Sequence, residues 1–311
     1  MCIFAQPVVS VTDTNIFARL LPNGWQHLVY QMKFATKQAN AIILPLPVKL
    51  PSAEESLKFV SLKGYGKFFT DLNKGYPLVA APSRGKSRSL KVDSAQPEKK
   101  IAVHHVGDFV ASFVPTIADF NRLDSQFRVP QESWDKIPTY ADYGFAVFQL
   151  KTRSGRPHPM AFRFRSRLAT KQNAATFFPT VHIHDGQVHA RERFDHTLFL
   201  QSPEFDKVCG DYVEAWSLVT DKKTGYVRSK WNAERFCSVE KSAGILDANG
   251  LVHRMQMRGK FKNTDILAHN NLSHSASSAL VLPALAVAGA AGLKWFCDRR
   301  GRVAEEESDN S

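Results

Sequence analysis

Histidine is the residue type that clusters most densely in this chain. Five of the eleven histidines fall between residues 158 and 196, namely His158, His182, His184, His189 and His196. His182 and His184 are two positions apart, so on a β-strand their side chains share one face. The Asp185-Gly186 pair favours a turn that would return His189 on a paired strand opposite them.

Two or three neutral imidazoles with a carboxylate form the ligand set that Zn, Fe, Ni and Cu prefer. The sequence therefore predicts a divalent transition-metal site formed by His182, His184, His189 and Asp185. Asp195 is an alternative carboxylate. Either His104 or His105 could add one ligand, because adjacent strand residues face opposite sides. In the structural alternative, the histidines line a polar sheet face and hydrogen-bond to the backbone.

Cys2 is the second candidate for chemistry. Removal of Met1 would leave a free α-amino group beside a thiol, as in N-terminal nucleophile hydrolases, where the amine accepts the thiol proton. Arg19 would then orient the substrate or the nucleophile. This hypothesis describes an amidohydrolase, but Ile3 stands where amidotransferases continue with Gly. In the alternative interpretation, Cys2 is a small buried apolar residue.

A basic segment, residues 151–171, contains seven Lys or Arg residues and no acidic residue. Within it Arg163, Arg165 and Arg167 alternate with Phe162 and Phe164, which predicts a strand with one cationic and one apolar face. The formal net charge of +12 also favours an anionic partner, such as nucleic acid or an anionic surface. The alternative is a solvated strand face, since these phenylalanines lie opposite the arginines and cannot stack bases beside them.

Several familiar catalytic patterns are absent from the sequence. It has no GxGxxG, GxxxxGK[ST] or GxSxG motif, and its four cysteines form no CxxC pair. These absences disfavour nucleotide enzymes, α/β-hydrolases and zinc ribbons. The sequence specifies no reaction, and the leading interpretation is a binding or scaffold protein with a divalent-metal site.

The elements that must position these residues are mostly strands. Pro22-Asn23-Gly24 predicts a hairpin, and Pro45 with Pro47 predicts an edge strand or one that ends in an extended segment. Ser52 and Glu55 resemble a capping box. The predicted strands are 14–20, 28–34, 41–48, 143–151, 161–167 and the hairpin 177–189, and the predicted helices are 52–62, 67–74 and 116–127. The fold class is α+β, with a mostly antiparallel β-sheet and a few short helices.

Composition divides the chain into four predicted parts. Residues 1–81 form a β-rich part with two short helices, residues 82–100 a basic linker or loop, residues 101–272 a second β-rich part with the histidines, and residues 273–311 an Ala-rich helix and acidic tail. Residues 279–293 are uncharged and precede basic residues, as in a stop-transfer flank. They predict either a docked helix in a cytoplasmic protein or a membrane tether, and the N-terminus shows no secretory signal.

The sequence resembles an uncharacterised bacterial family of unknown function. The segments that carry the resemblance are the early Cys2, ARLLPNGWQHLVYQMKF, AIILPLPV, VGDFVASFVP, YADYGFAVFQLK, HPMAFRF and FFPT. The resemblance covers about residues 1–200 as a diffuse pattern. It implies an α+β fold and a C-terminal membrane segment, and it implies no activity.

Overall fold

A computed structural model describes residues 2–77, 104–106, 108–170, 174–212 and 224–269, without the side chains of Cys2 and of residues 104–106. The predicted linker at 82–100 and the C-terminal part at 273–311, with its apolar segment 279–293, lie outside the described residues. None of the helices in the described ranges has the length and hydrophobicity of a membrane-spanning segment.

The described chain is rich in strands. In the first half they are β1 (Cys2–Phe4), β2 (Ser10–Leu20), β3 (Trp25–Ala35), β4 (Ala41–Leu46), β5 (Leu57–Ser61), β6 (His104–Val106), β7 (Phe109–Val114), β8 (Gly144–Leu150), β9 (Ser154–Gly155) and β10 (Met160–Arg165). In the second half they are β11 (Ala175–Phe178), β12 (His182–Ile183), β13 (Arg191–Phe194), β14 (Thr197–Leu200), β15 (Gly210–Asp211), β16 (Val227–Arg228), β17 (His253–Gln256), β18 (Gly259–Lys262) and β19 (Ile266–His269).

The described helices are short. The α-helices are α1 (Phe68–Lys74), α2 (Gln131–Asp135) and α3 (Pro203–Asp206). The 3₁₀ helices are Glu54–Ser56, Lys63–Tyr65, Ile117–Arg122, Ser125–Phe127, Pro138–Tyr140, Ala233–Arg235 and Glu240–Ser242. The predicted fold class is confirmed in its coarse form, that is, mixed and antiparallel sheets with few short helices.

Two large sheets form a sandwich. The six-stranded sheet has the order β12-β1-β4-β8-β7-β6, and the nine-stranded sheet has the order β15-β16-β17-β14-β2-β3-β10-β5, with β9 beside β3. Three pairs are parallel, namely β1 with β12, β14 with β2 and β15 with β16. Both sheets contain strands from residues 1–81 and strands from residues 101–272, so the two predicted β-rich parts contribute to the same sheets.

The core is dominated by phenylalanine and aliphatic residues from the facing sides of the two sheets. Phe148 and Phe109 project from the smaller sheet and Phe162 from the larger one, and all three are fully buried. The outer face of the nine-stranded sheet is covered by α1 and by residues 233–252. The outer face of the six-stranded sheet is covered by the segment 117–140, which contains Phe120 and Trp134.

The hairpin prediction at residues 22–24 is confirmed. The N–H of Gly24 donates to the carbonyl of Leu21, and β2 and β3 pair in antiparallel register on either side. Gly24 has φ of +82°, a backbone conformation that favours glycine. The helix predicted at 67–74 is also confirmed as α1, which ends before Gly75.

Three local predictions are wrong. The predicted capping pair of Ser52 and Glu55 does not form; Ala53 begins a single 3₁₀ turn and donates its N–H to Ser56 Oγ, after which residues 57–61 form β5 instead of a helix. Of the two alternatives predicted from Pro45 and Pro47, the edge strand is wrong, because β4 lies between β1 and β8. The alternative of a strand that ends before an extended segment agrees with the structure, since β4 ends at Leu46. Strand β4 tolerates Pro45 because β1 pairs only with Ile42 and Ile43, which leaves the proline beyond the part of β4 that β1 covers.

The third wrong prediction is the hairpin at residues 177–189. The two-residue strand β12 pairs in parallel with β1 at the edge of the six-stranded sheet, and β11 pairs with β19. Residues 187–190 form no strand. His189 therefore does not return on a strand opposite His182 and His184. The pairing partners of β12 and β11 are β1 and β19, which lie far away along the chain, and no strand that follows the local turn pairs with either of them.

Candidate functional site

His182 and His184 lie on one face, as their spacing predicts, and a third histidine joins them. The rings of His182 and His184 stack with centroids 4.7 Å apart. His196, which immediately precedes β14, brings its Nε2 within 2.8 Å of the Nε2 of His182. The side chains of His182 and His196 are buried, and Phe194 stacks on the ring of His182. We name His182, His184 and His196 the histidine cluster.

Burial holds the histidine cluster in its neutral form. Loss of solvation lowers the pKa of His184 and of His196 to about 4 each, although Asp195 beside His196 opposes the shift there. Burial and the neighbouring His196 and His184 also lower the pKa of His182. Neutral imidazoles can donate to one another and can offer lone pairs to a ligand.

His189 and Asp185, the other two predicted ligands, lie apart from this cluster. The Nε2 of His189 lies 2.9 Å from a carboxylate oxygen of Asp185, and both side chains are about half exposed. The structure thus joins two of the four predicted ligands to His196 instead. Among the described residues, no group of three or more His, Cys, Asp or Glu side chains is spaced as a ready metal site.

The structure places Cys2 next to the histidine cluster in register. Cys2 pairs with His182 across the parallel strands β1 and β12. Arg19 lies elsewhere, on the outer face of the nine-stranded sheet, where its guanidinium contacts Asp247 at 3.0 Å and donates to the carbonyl of Ile245. The structure therefore does not bring Arg19 to Cys2, and the N-terminal nucleophile stays a prediction that rests on Cys2 alone.

The basic strand is β10, and its alternation is as predicted. Phe162 and Phe164 lie in the core, fully buried, while Arg165 is exposed and Arg163 partly exposed. In the sheet, Arg165 pairs with Trp25 of β3 and Arg163 pairs with Lys58 of β5. Partners in register project from the same face, so an indole lies among the cations.

We name this group the basic–aromatic patch, which consists of Trp25, Lys58, Arg163 and Arg165. The guanidinium carbons of both arginines lie 5.2 Å from the centre of the Trp25 ring, and the Lys58 ammonium lies 5.9 Å from it. Among the described residues, no carboxylate forms an ion pair with Lys58, Arg163 or Arg165. The patch is therefore a cluster of positive charge without an acidic partner in the described part of the chain.

Arg167, the third predicted arginine, is already neutralised. Its guanidinium donates to both carboxylate oxygens of Asp142, at 2.7 and 2.9 Å, and lies 4.6 Å from the ring of Tyr143. A bidentate pair of this kind is among the stronger ion pairs of a protein surface. Two of the three predicted arginines are thus left to bind a ligand.

Sequence reasoning missed Trp25. The residue follows the Asn-Gly turn directly, so its place at the start of β3 is readable from the chain. What the sequence does not show is that β10, 140 residues later, pairs with β3 so that Arg165 comes level with it. The aromatic side chain that a nucleic-acid surface needs is on the cationic face after all, contributed by a different strand.

Comparison with known proteins leaves the function open. The sequence matches no protein-family model and no curated protein. It is similar in structure to baculovirus P35, at 14% sequence identity and a TM-score of 0.42, over 83% of this chain and 96% of that chain. A chain in a crystal structure of the caspase-8/P35 complex is 11% identical with a TM-score of 0.39, over 82% of this chain and 95% of that chain. These similarities are too distant to support an argument, and the resemblance to a bacterial family stays a prediction.

His27 lies beside the basic–aromatic patch, and the positive charge nearby disfavours its protonation. It pairs with Arg163 on one side and with Arg19 on the other, and it is buried. Burial, together with the charges of Arg19 and Arg163, lowers the pKa of His27 to about 4. His27 is therefore neutral at pH 7.

We expect His27 to destabilise the fold in acid. The unfolded chain takes up a proton below about pH 6.5, whereas folded His27 resists protonation down to about pH 4, so stability falls across that window as the pH is lowered. Urea unfolding gives the free energy of unfolding at pH 7 and at pH 4.5. Between these two pH values, this free energy should fall by roughly 2.5 kcal/mol less for His27→Gln than for the wild type. His189→Gln, on the surface, is the control. Equal losses for the wild type and His27→Gln would contradict the prediction.

Proposed function

We propose that this protein binds single-stranded nucleic acid through the basic–aromatic patch. The observation that carries the proposal is the presence of Arg163, Arg165 and Lys58 around the Trp25 indole, without an acidic partner in the described chain. Proteins that bind single strands combine cations that contact the phosphates with an aromatic ring on which a base stacks. The net charge of +12 adds a long-range attraction for any polyanion.

The arrangement favours a single strand over a duplex. Trp25 is partly exposed at the turn end of the hairpin, and the patch lies on the outer face of strands β3, β10 and β5, where Lys58 and Arg165 are exposed. A base can stack only when its face is free, as it is in a single strand. A duplex, heparin or an anionic vesicle would contact the cations without stacking on the indole. The effect of replacing Trp25 therefore distinguishes a single strand from these other polyanions.

The test is a salt titration of binding to a fluorescent oligothymidylate. We expect the wild type to bind with an affinity that falls as salt is raised. The Arg163→Gln/Arg165→Gln variant should bind at least about 10-fold more weakly at low salt, with a log–log slope smaller by about 1.4, because two phosphate contacts are lost. Trp25→Leu should weaken binding about 10-fold with little change in slope, since it removes stacking and no charge.

Arg167→Gln is the matched control, because it removes one positive charge from the same segment where Asp142 already neutralises it. We expect this variant to bind as the wild type does. Undetectable binding by the wild type at low salt would refute the proposal. So would an equal effect of Arg167→Gln and Arg163→Gln, or a Trp25→Leu variant that binds normally.

A further inference from the structure

A cleft of about 510 Å³ lies at the surface beside helix α1. One of its walls consists of α1 and the turn at residues 64–67, and the other wall consists of residues 238 and 241. Its volume is within the range of roughly 300–1,000 Å³ that is usual for small-molecule sites. The residues that line it belong neither to the basic–aromatic patch nor to the histidine cluster.

The lining of the cleft is cationic. It includes three ammonium groups, those of Lys67, Lys74 and Lys241, and a single carboxylate, that of Asp71. Lys67 and Lys241 are exposed, and neither forms an ion pair with a carboxylate of the described chain. Three positive charges against one negative charge leave an excess of two positive charges in the cleft.

The cleft is formed before any ligand binds. The Nζ of Lys74 lies 2.6 Å from Oδ1 of Asp71, whose side chain is only 8% exposed. The hydroxyl of Tyr65, a buried residue, accepts a hydrogen bond from the N–H of Ser238 at 2.8 Å and so joins the two walls. A ligand therefore meets one cation and two walls that are already fixed, which lowers the entropy lost on binding.

Two glycines in the turn keep the cleft open. Gly64 and Gly66 both line it, and a Cβ at either position would meet no heavy atom within 4 Å beyond its chain neighbours. Neither glycine has a positive φ, so neither the backbone conformation nor the packing of the protein requires glycine here. Without side chains, this part of the wall lets a ligand approach the backbone closely.

We propose that this cleft binds a small molecule that carries a phosphomonoester group, with Lys67, Lys74 and Lys241 around the phosphate. A phosphomonoester has a charge of about −2 at pH 7, which matches the excess of positive charge in the cleft. The ammonium group of a lysine donates up to three hydrogen bonds and is a common partner of phosphate oxygens. The site is separate from the proposed nucleic-acid site, and each can be tested without the other.

The first experiment uses the wild-type protein. Isothermal titration calorimetry at low salt and pH 7.5 measures the binding of ribose 5-phosphate, and we expect one molecule to bind per chain. Inorganic phosphate should displace it, and ribose should not bind. Dimethyl phosphate, a diester with a single negative charge, should bind at least about 10-fold more weakly than inorganic phosphate, because it offers fewer charged acceptors.

Charge variants then locate the phosphate. Lys67→Gln/Lys241→Gln should weaken the binding of ribose 5-phosphate at least about 10-fold, because hydrogen bonds from two charged groups are lost. Lys63→Gln is the matched control, since it removes one positive charge from the same turn but Lys63 does not line the cleft. We expect this variant, and the Arg163→Gln/Arg165→Gln variant of the patch, to bind ribose 5-phosphate as the wild type does.

The variant Gly64→Ala/Gly66→Ala tests the shape of the cleft apart from its charge. Alanine fits both backbone positions without strain, so the free energy of unfolding should not decrease. The added methyl groups take up space on the cleft wall, and we expect the binding of ribose 5-phosphate to weaken about 10-fold with the protein fully folded.

Three results would overturn the proposal. They are the absence of saturable binding of both ribose 5-phosphate and inorganic phosphate by the wild type, equal effects of Lys63→Gln and Lys67→Gln/Lys241→Gln, and normal binding by the glycine variant. The wild-type titration decides the matter even if a variant does not fold. Binding of ribose 5-phosphate without any binding of oligothymidylate would support this site and refute only the proposed nucleic-acid function.

Discussion

Replacing Phe148 with alanine is expected to lower the free energy of unfolding by about 4 kcal/mol, since truncating a buried phenylalanine costs 3–5 kcal/mol. Phe148 is fully buried in the middle of β8, and its ring contacts Phe59, Phe109 and Phe162 at centroid distances of 5.6, 5.2 and 5.9 Å. These rings come from strands of both sheets. The alanine variant would leave a cavity at the point where the two sheets meet.

Urea denaturation followed by tryptophan fluorescence measures this loss. Val9→Ala is the control, because Val9 is 62% exposed and its truncation should change stability by less than about 0.5 kcal/mol. A loss below about 1 kcal/mol for Phe148→Ala would mean that the sheets do not pack through this ring.

Replacing Asp265 with alanine should be nearly as damaging. Its carboxylate accepts hydrogen bonds from the Tyr140 hydroxyl at 2.7 Å and from the N–H groups of Thr180 and Val181 at 2.8 and 3.2 Å. The three donors lie in buried residues, and they belong to two chain segments far from residue 265. Their loss of an acceptor should cost about 4 kcal/mol in total, at 1–3 kcal/mol for each unsatisfied group.

Asp265→Asn is the informative partner for this variant. The amide oxygen can still accept from both N–H groups, so we expect a loss of about 1 kcal/mol, much smaller than for alanine. Burial raises the pKa of the Asp265 carboxyl, which fits a group whose role is to accept hydrogen bonds more than to carry charge. Equal losses for the two variants would show that the charge of Asp265, and not its hydrogen bonds, supports the fold.

Both predictions concern contacts between distant segments, and these are what the sequence alone leaves open. Local features were accessible, because a turn or an alternation is determined by neighbouring residues. The hairpin at residues 22–24, helix α1 and the two faces of β10 follow from side chains within a few positions of each other. The common face of His182 and His184 follows in the same way from a spacing of two.

The failed predictions share one cause. Residues 57–61 carry a weak helix signal, but they become β5 because β10 offers a full set of hydrogen bonds and a core face for Leu57. The turn at Asp185-Gly186 similarly loses to the pairing of β12 with β1. Tertiary hydrogen bonds and burial outweigh local propensity, which amounts to less than about 1 kcal/mol per residue.

The two candidate sites depend on this same distinction. The sequence by itself determined which side chains of one strand face together, namely Arg163 with Arg165 and His182 with His184. Only the tertiary structure decided that Trp25 joins the arginines and that His196, and not His189, joins the histidines. The reason is that cross-strand register depends on the whole set of backbone hydrogen bonds and buried faces, and a shift by one residue would turn every side chain to the other face.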